Sequence, residues 1–124
     1  MKKSTYIIRK KEEKYSLQLF NENKIFMLES KNFDSYKSCK KFLDILRVHL
    51  YFQTNFSRSK NRAGQFGFEI RTCWDELIAS SSWFSSREER ESFMSATFKC
   101  SKNAVLEDTP SIYSTKILPL QEVA

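Results

Sequence analysis

The sequence predicts an α+β domain: two tandem β-β-β-α(-β) repeats that build one antiparallel sheet with two helices packed on it. Three observations lead there. Apolar residues alternate at period two in "KYSLQL" (14–19) and "QFGFEI" (65–70), the mark of a half-buried strand. Each stretch is followed by a turn, a second strand pattern and a helical stripe at i, i+3, i+4 spacing. The two series also superimpose without a gap at a shift of 51. Tyr15 then falls on Phe66, Leu17 on Phe68, Leu19 on Ile70, Phe26 on Leu77, Phe33 on Phe84 and Phe42 on Phe93.

Each element has its own justification. "TYIIRK" (5–10) is a strand candidate, and "KEEK" (11–14) turns it into the strand at 15–19. "NENK" (21–24) is a turn, and a third strand spans about 25–30. Asp34 or Ser35 can cap the first helix, about 35–49, by accepting from a free N–H of its first turn. Tyr36, Cys39, Phe42, Leu43, Ile45 and Leu46 form its inward stripe; Lys37, Lys40, Lys41, Asp44 and Arg47 take the other side. "LYFQTNF" (50–56) reads as the next strand, and the polar "SRSKNRAG" (57–64) as its turn. After the strand at 66–70 come the turn "TCWDE" (72–76) and a strand over 77–82.

The second helix, about 86–100, opens on "SSRE" (85–88), a capping box in which Ser85 accepts and Glu88 reaches back. It turns Phe93, Met94, Thr97 and Cys100 inward and Glu88, Glu89, Arg90 and Glu91 outward. "AVLED" (104–108) is a closing strand, and part of 50–56 holds the same place after the first helix. Residues 1–110 thus form one domain of two repeats, about 5–55 and 50–108. Residues 111–124, "SIYSTKILPLQEVA", form an apolar C-terminal extension suited to docking on its own domain or on a second copy.

Composition narrows the class. Forty per cent hydrophobic residues and 11 Phe in 124 residues supply a core, which excludes a disordered chain. No apolar run approaches the ~20 residues of a membrane span. Lys2 and Lys3 lead into no apolar stretch, so no secretory signal is read. Cys39, Cys73 and Cys100 are odd in number and scattered, which predicts free thiols and a cytoplasmic protein. Residues 1–62 carry a net charge of +9 and residues 63–124 one of −3. Such asymmetry fits either a nucleic-acid face or two halves that attract each other.

"AGQFGFEIRTCWDELIASSSWFSSREE" (63–89), through Gly64, Phe66, Phe68, Ile78, Ala79, Ser80, Phe84 and Ser86, resembles the repeat unit of the YegP-like family. These are small bacterial tandem-repeat proteins of uncharacterised function. The first copy (6–46) resembles it through Ser30, Phe33, Ser35 and Lys37, but has Glu12–Glu13 and Asn21–Asn23 where the family turns carry glycine. The resemblance implies one antiparallel sheet with last strands exchanged between repeats, a covalent pseudo-dimer. It implies no activity, cofactor or catalytic residue.

Side chains that could carry chemistry are few. His49 is the one histidine, and its repeat equivalent is Cys100; a Cys/His site is the weaker enzymatic reading. No phosphate-binding glycine loop, metal-ligand cluster or nucleophile motif occurs, so no catalytic, cofactor or metal residue is assigned. The expected role is a non-catalytic binding or interaction module. It would engage a protein partner or itself through 111–124. The alternative is a nucleic-acid-associated protein using its basic hairpin turns, which form one patch able to contact phosphates if they lie together at one sheet end. Its contact residues would be Arg58, Lys60, Arg62, Lys10, Lys11 and Trp74.

Overall fold

The computed structural model describes residues 3–107. The extension at 111–124 lies outside the described residues. The elements run β1 (Thr5–Lys11), β2 (Lys14–Phe20), β3 (Phe26–Ser30), α1 (Tyr36–Leu50), β4 (Phe56–Lys60), β5 (Phe66–Arg71), β6 (Leu77–Ser80), α2 (Arg87–Cys100) and β7 (Val105–Leu106). One seven-stranded sheet has the order β4-β5-β6-β3-β2-β1-β7. The fold is α+β as expected, but the sheet is mixed. β7 lies parallel to β1, Thr5 against Val105 and Tyr6 against Leu106, and every other neighbouring pair is antiparallel. β7 is reached from α2 rather than through a hairpin, a crossover of the kind that a parallel pairing with β1 requires.

Alternation puts Tyr6, Leu17, Leu19, Phe68 and Ile70 on one face, where they meet Cys39, Phe42, Leu43, Leu46 and Leu50 of α1 in a single core. The period breaks twice, with a purpose. Leu19 opposes Leu28 and Phe20 opposes Phe26, so Met27 is an extra residue; Ile78 is its counterpart between Ile70–Ala79 and Arg71–Leu77. These bulges allow the consecutive pairs Met27–Leu28 and Ile78–Ala79 all to be buried, which strict alternation forbids.

The turns repeat their chemistry. Asn21 Oδ1 accepts from the N–H groups of Asn23 and Ile25, and Thr72 Oγ1 accepts from those of Trp74 and Glu76. Lys24 and Asp75 follow at φ 63° and 65°. Tyr15 bridges Phe33 as Phe66 bridges Phe84. The β1–β2 turn is two residues long, and Glu12 (φ 52°) and Glu13 (φ 65°) both sit in the left-handed region that favours glycine. In the β4–β5 turn, Gly64 takes that role at φ 81°. Gly67 has a packing reason. A Cβ there would stand 3.0 Å from the Trp83 ring, which covers it on the face away from the helices.

Several sequence expectations are corrected. The strand expected at 50–56 is not one: α1 runs to Leu50, Gln53–Asn55 form a single 3₁₀ turn, and β4 begins only at Phe56. Leu50 belongs to the helical stripe and is buried there. Ser86, not Ser85, caps α2 by accepting from Glu89 N–H at 3.1 Å, and Glu89 reaches back to Ser85 N–H at 3.2 Å. On α1 the cap is Ser35, while Asp34 pairs with Lys14. Arg90 is buried rather than outward, its guanidinium 5.3 Å over the Phe66 ring. Ile45 points outward and is 48% exposed.

Candidate functional site

The candidate site is the outer edge of β4 and the cleft beside it. β4 opens one margin of the sheet and, among the described residues, has β5 as its one neighbour. Which of its backbone groups face outward follows from the bonds of β5. Phe68 N–H donates to Ser81 Oγ and Phe68 O accepts from Ser81 N–H, and Phe66 exchanges bonds with Phe84. These residues therefore bond away from β4. Gly67 and Glu69 bond toward it, to their partners Ser59 and Ser57. The main-chain groups of Phe56, Arg58 and Lys60 thus project from the sheet margin.

The opposite margin shows the same arrangement filled. Tyr6 opposes Leu19 as Phe56 opposes Ile70, and Lys10 opposes Tyr15 as Lys60 opposes Phe66. Beside β1, Glu107 N–H donates to Tyr6 O at 2.8 Å and Val105 N–H to Ser4 O at 3.1 Å. β7 therefore occupies an edge whose equivalent at β4 carries no strand among the described residues. The reason lies in the chain path. The segment that follows α1 runs straight into β4 and cannot also lie alongside it.

Alternation turns Phe56 and Arg58 toward α2, where a cleft of about 350 Å³ is lined by Gln53, Phe56, Arg58, Glu91, Met94 and Phe98 among others. Arg58 grips Glu91 with both arms, Nε to Oε2 at 2.7 Å and Nη2 to Oε1 at 2.6 Å. Hydrogen bonding from Arg58, against a smaller desolvation effect, draws the Glu91 carboxyl down to about 2, so the pair persists at neutral pH. Arg90 adds a bond to Glu91 at 3.1 Å and reaches Ser59 O at 3.4 Å.

The sequence-predicted contact residues are dispersed. Arg58 and Lys60 lie in β4, not in a turn; Arg58 is paired, and Lys60 Nζ sits 5.4 Å over the Phe66 ring. Arg62 is exposed in the β4–β5 turn. Lys10 and Lys11 end β1, and Lys10 Nζ is 5.7 Å over the Tyr15 ring. The strands alternate in direction from β1 through β2, β3, β6 and β5 to β4, so the β1–β2 and β4–β5 turns emerge at opposite ends of the sheet. The expected single basic patch is not formed. Trp74 is 88% exposed in the β5–β6 turn, at the end that carries Lys10 and Lys11.

His49 and Cys100 each bond within their own helix: His49 Nδ1–H to Ile45 O at 2.8 Å, and Cys100 Sγ–H weakly to Thr97 O at 3.7 Å. Burial pushes the Cys100 thiol up, and the Cys39 thiol up to about 12, the reverse of nucleophile activation. Sequence reasoning missed the cleft and the Arg58–Glu91 pair. The signal was there in Glu91, Met94 and Phe98, spaced to line one side of a helix.

No family model and no curated protein matches the sequence. Solved structures do match. The chain superimposes on the protein of unknown function yegP from E. coli with TM-score 0.77 at 16% identity, covering 88% of this chain and 95% of that one. It superimposes on the UPF0339 protein SO3888 from Shewanella oneidensis with TM-score 0.75 at 13% identity, covering 85% and 90%. The expected YegP-like fold is thus the fold of this chain.

Proposed function

We propose that the protein is a non-catalytic interaction module that binds an extended polypeptide segment by adding it as a strand to β4. The observation that carries this reading is the outward main-chain row of Phe56, Arg58 and Lys60 beside a cleft that sets Phe56, Met94 and Phe98 among Gln53, Arg58, Glu91 and Ser95. Main-chain bonds would supply affinity, and the cleft with Phe56, Met94 and Phe98 would select alternate side chains. In this reading the chain is a tandem duplication, a single-chain pseudo-dimer whose second unit lends β7 to the first. The matched turn and bridge bonds support the duplication. Fusion of the units leaves one strand position open, and that position is the binding edge. The three free thiols, with Cys73 exposed, suit a reducing cytoplasm.

The separation of the two basic turns and the pairing of Arg58 weigh against the nucleic-acid reading. The test is selection of short random peptides on the full chain. Bound peptides are expected to shift the Arg58 and Lys60 amides. Their affinity should fall at least ~10-fold with Arg58→Pro, which removes an outward N–H, and stay within ~3-fold with Arg58→Gln. Peptides that bind equally well to Arg58→Pro would sink the proposal.

A further inference from the structure

We infer that β4 receives residues 111–118 of a second copy of this chain, so that two copies exchange their C-terminal segments. The inference rests on the strand-addition reading of β4 and names its occupant. "SIYSTKIL" (111–118) is bracketed by Pro110 and Pro119, contains neither proline nor glycine, and is rich in residues that favour strands. Its apolar side chains need an apolar seat, and Phe56, Met94 and Phe98 provide one at the open margin.

Chain length decides between the same copy and another. β7 and β4 stand at opposite margins, six strand spacings of about 4.8 Å apart, or roughly 29 Å. At roughly 3.4 Å per residue, a chain leaving Glu107 needs about nine residues to cross, which exhausts 108–116 before β4 is reached. Its own residues 111–118 therefore cannot lie along β4. Continuing β7 along β1 in the same chain does not seat them either. β1 ends at Lys11, and the parallel register that sets Tyr6 against Leu106 brings about residue 111 to that end. A second copy has no such limit, and reciprocal exchange closes a two-fold dimer. β7 itself is a precedent, a segment that follows a helix and completes a distant margin through main-chain bonds.

The experiment is sedimentation of the full chain from low micromolar to near-millimolar concentration, with amide exchange on the same samples. A monomer–dimer equilibrium is expected, with the Arg58 and Lys60 amides protected as dimer forms. Arg58→Pro should raise the dimer Kd at least ~10-fold, and so should one of Ser114→Pro and Thr115→Pro, since N–H groups alternate in direction along a strand. Where a proline variant fails to fold, a mixture of labelled and unlabelled wild-type chains replaces it. Intermolecular NOEs from the β4 amides to Tyr113 are then expected. A chain that stays monomeric overturns the inference. So does concentration-independent protection of Ile8 and Lys10, which would seat the segment beside its own β1. A dimer sensitive to Arg58→Pro but indifferent to both tail variants overturns the occupant and leaves the strand-addition reading standing.

Discussion

The β1–β2 turn concentrates the cost of unusual backbone in two residues. Glu12 and Glu13 both adopt positive φ, which costs an L-residue roughly 1–2 kcal/mol each. Short turns between antiparallel strands still demand it, because their twist matches that of the flanking strands. Replacing Glu12–Glu13 with Asn-Gly should therefore raise unfolding free energy by about 1 kcal/mol or more, read as a higher urea midpoint at unchanged slope. An unchanged midpoint would mean that the turn is not strained. Sequence reading placed this turn correctly but not its conformation, because glutamate carries no signal for a left-handed backbone. Arg90 was misread for a related reason. A charged residue was assigned to solvent, yet its guanidinium lies over Phe66 with bonds to Glu91 and Ser59 O.

At the scale of elements, the aromatic residue ahead of each helix is the clearest common device. Phe84 stacks on Phe93 at 4.7 Å between ring centroids, and Phe33 meets Phe42 at 4.8 Å. Each also bonds through its backbone to the strand beneath, so it ties sheet to helix at the point of entry. Phe84→Ala should cost about 3 kcal/mol, and Phe33→Ala, which retains more contact with water, about 2 kcal/mol. Chemical denaturation checks both, and near-neutral values for both would dismiss the device. Both helices and the strands β1, β2, β3, β5 and β6 were legible from the sequence pattern. The strand misassigned to 50–56 was not, because an apolar run at a helix end looks the same whether the chain coils or extends. The β4 margin was also invisible in the sequence. Arg58 and Lys60 read as turn residues until the register showed them on the α2 side of the sheet's outermost strand.

For the whole molecule, the fold class followed from local pattern, while the order of strands and the parallel sense of β7 did not. Those depend on where each chain segment lands after crossing the helices. The placement of β7 has a kinetic consequence. Thr5 and Val105, about a hundred residues apart, are direct neighbours in the sheet, and β3 meets β6 across about fifty. The hairpins can form on the scale of microseconds, but joining them demands closure of very long loops. Refolding from urea should accordingly take milliseconds to seconds, and stopped-flow fluorescence of Trp83 over Gly67 would report it. A microsecond phase carrying the full amplitude would contradict this. A chain whose first strand waits for its last spends the interval with β1 uncovered, and that interval is when a neighbouring copy has its best chance to pair with the wrong edge.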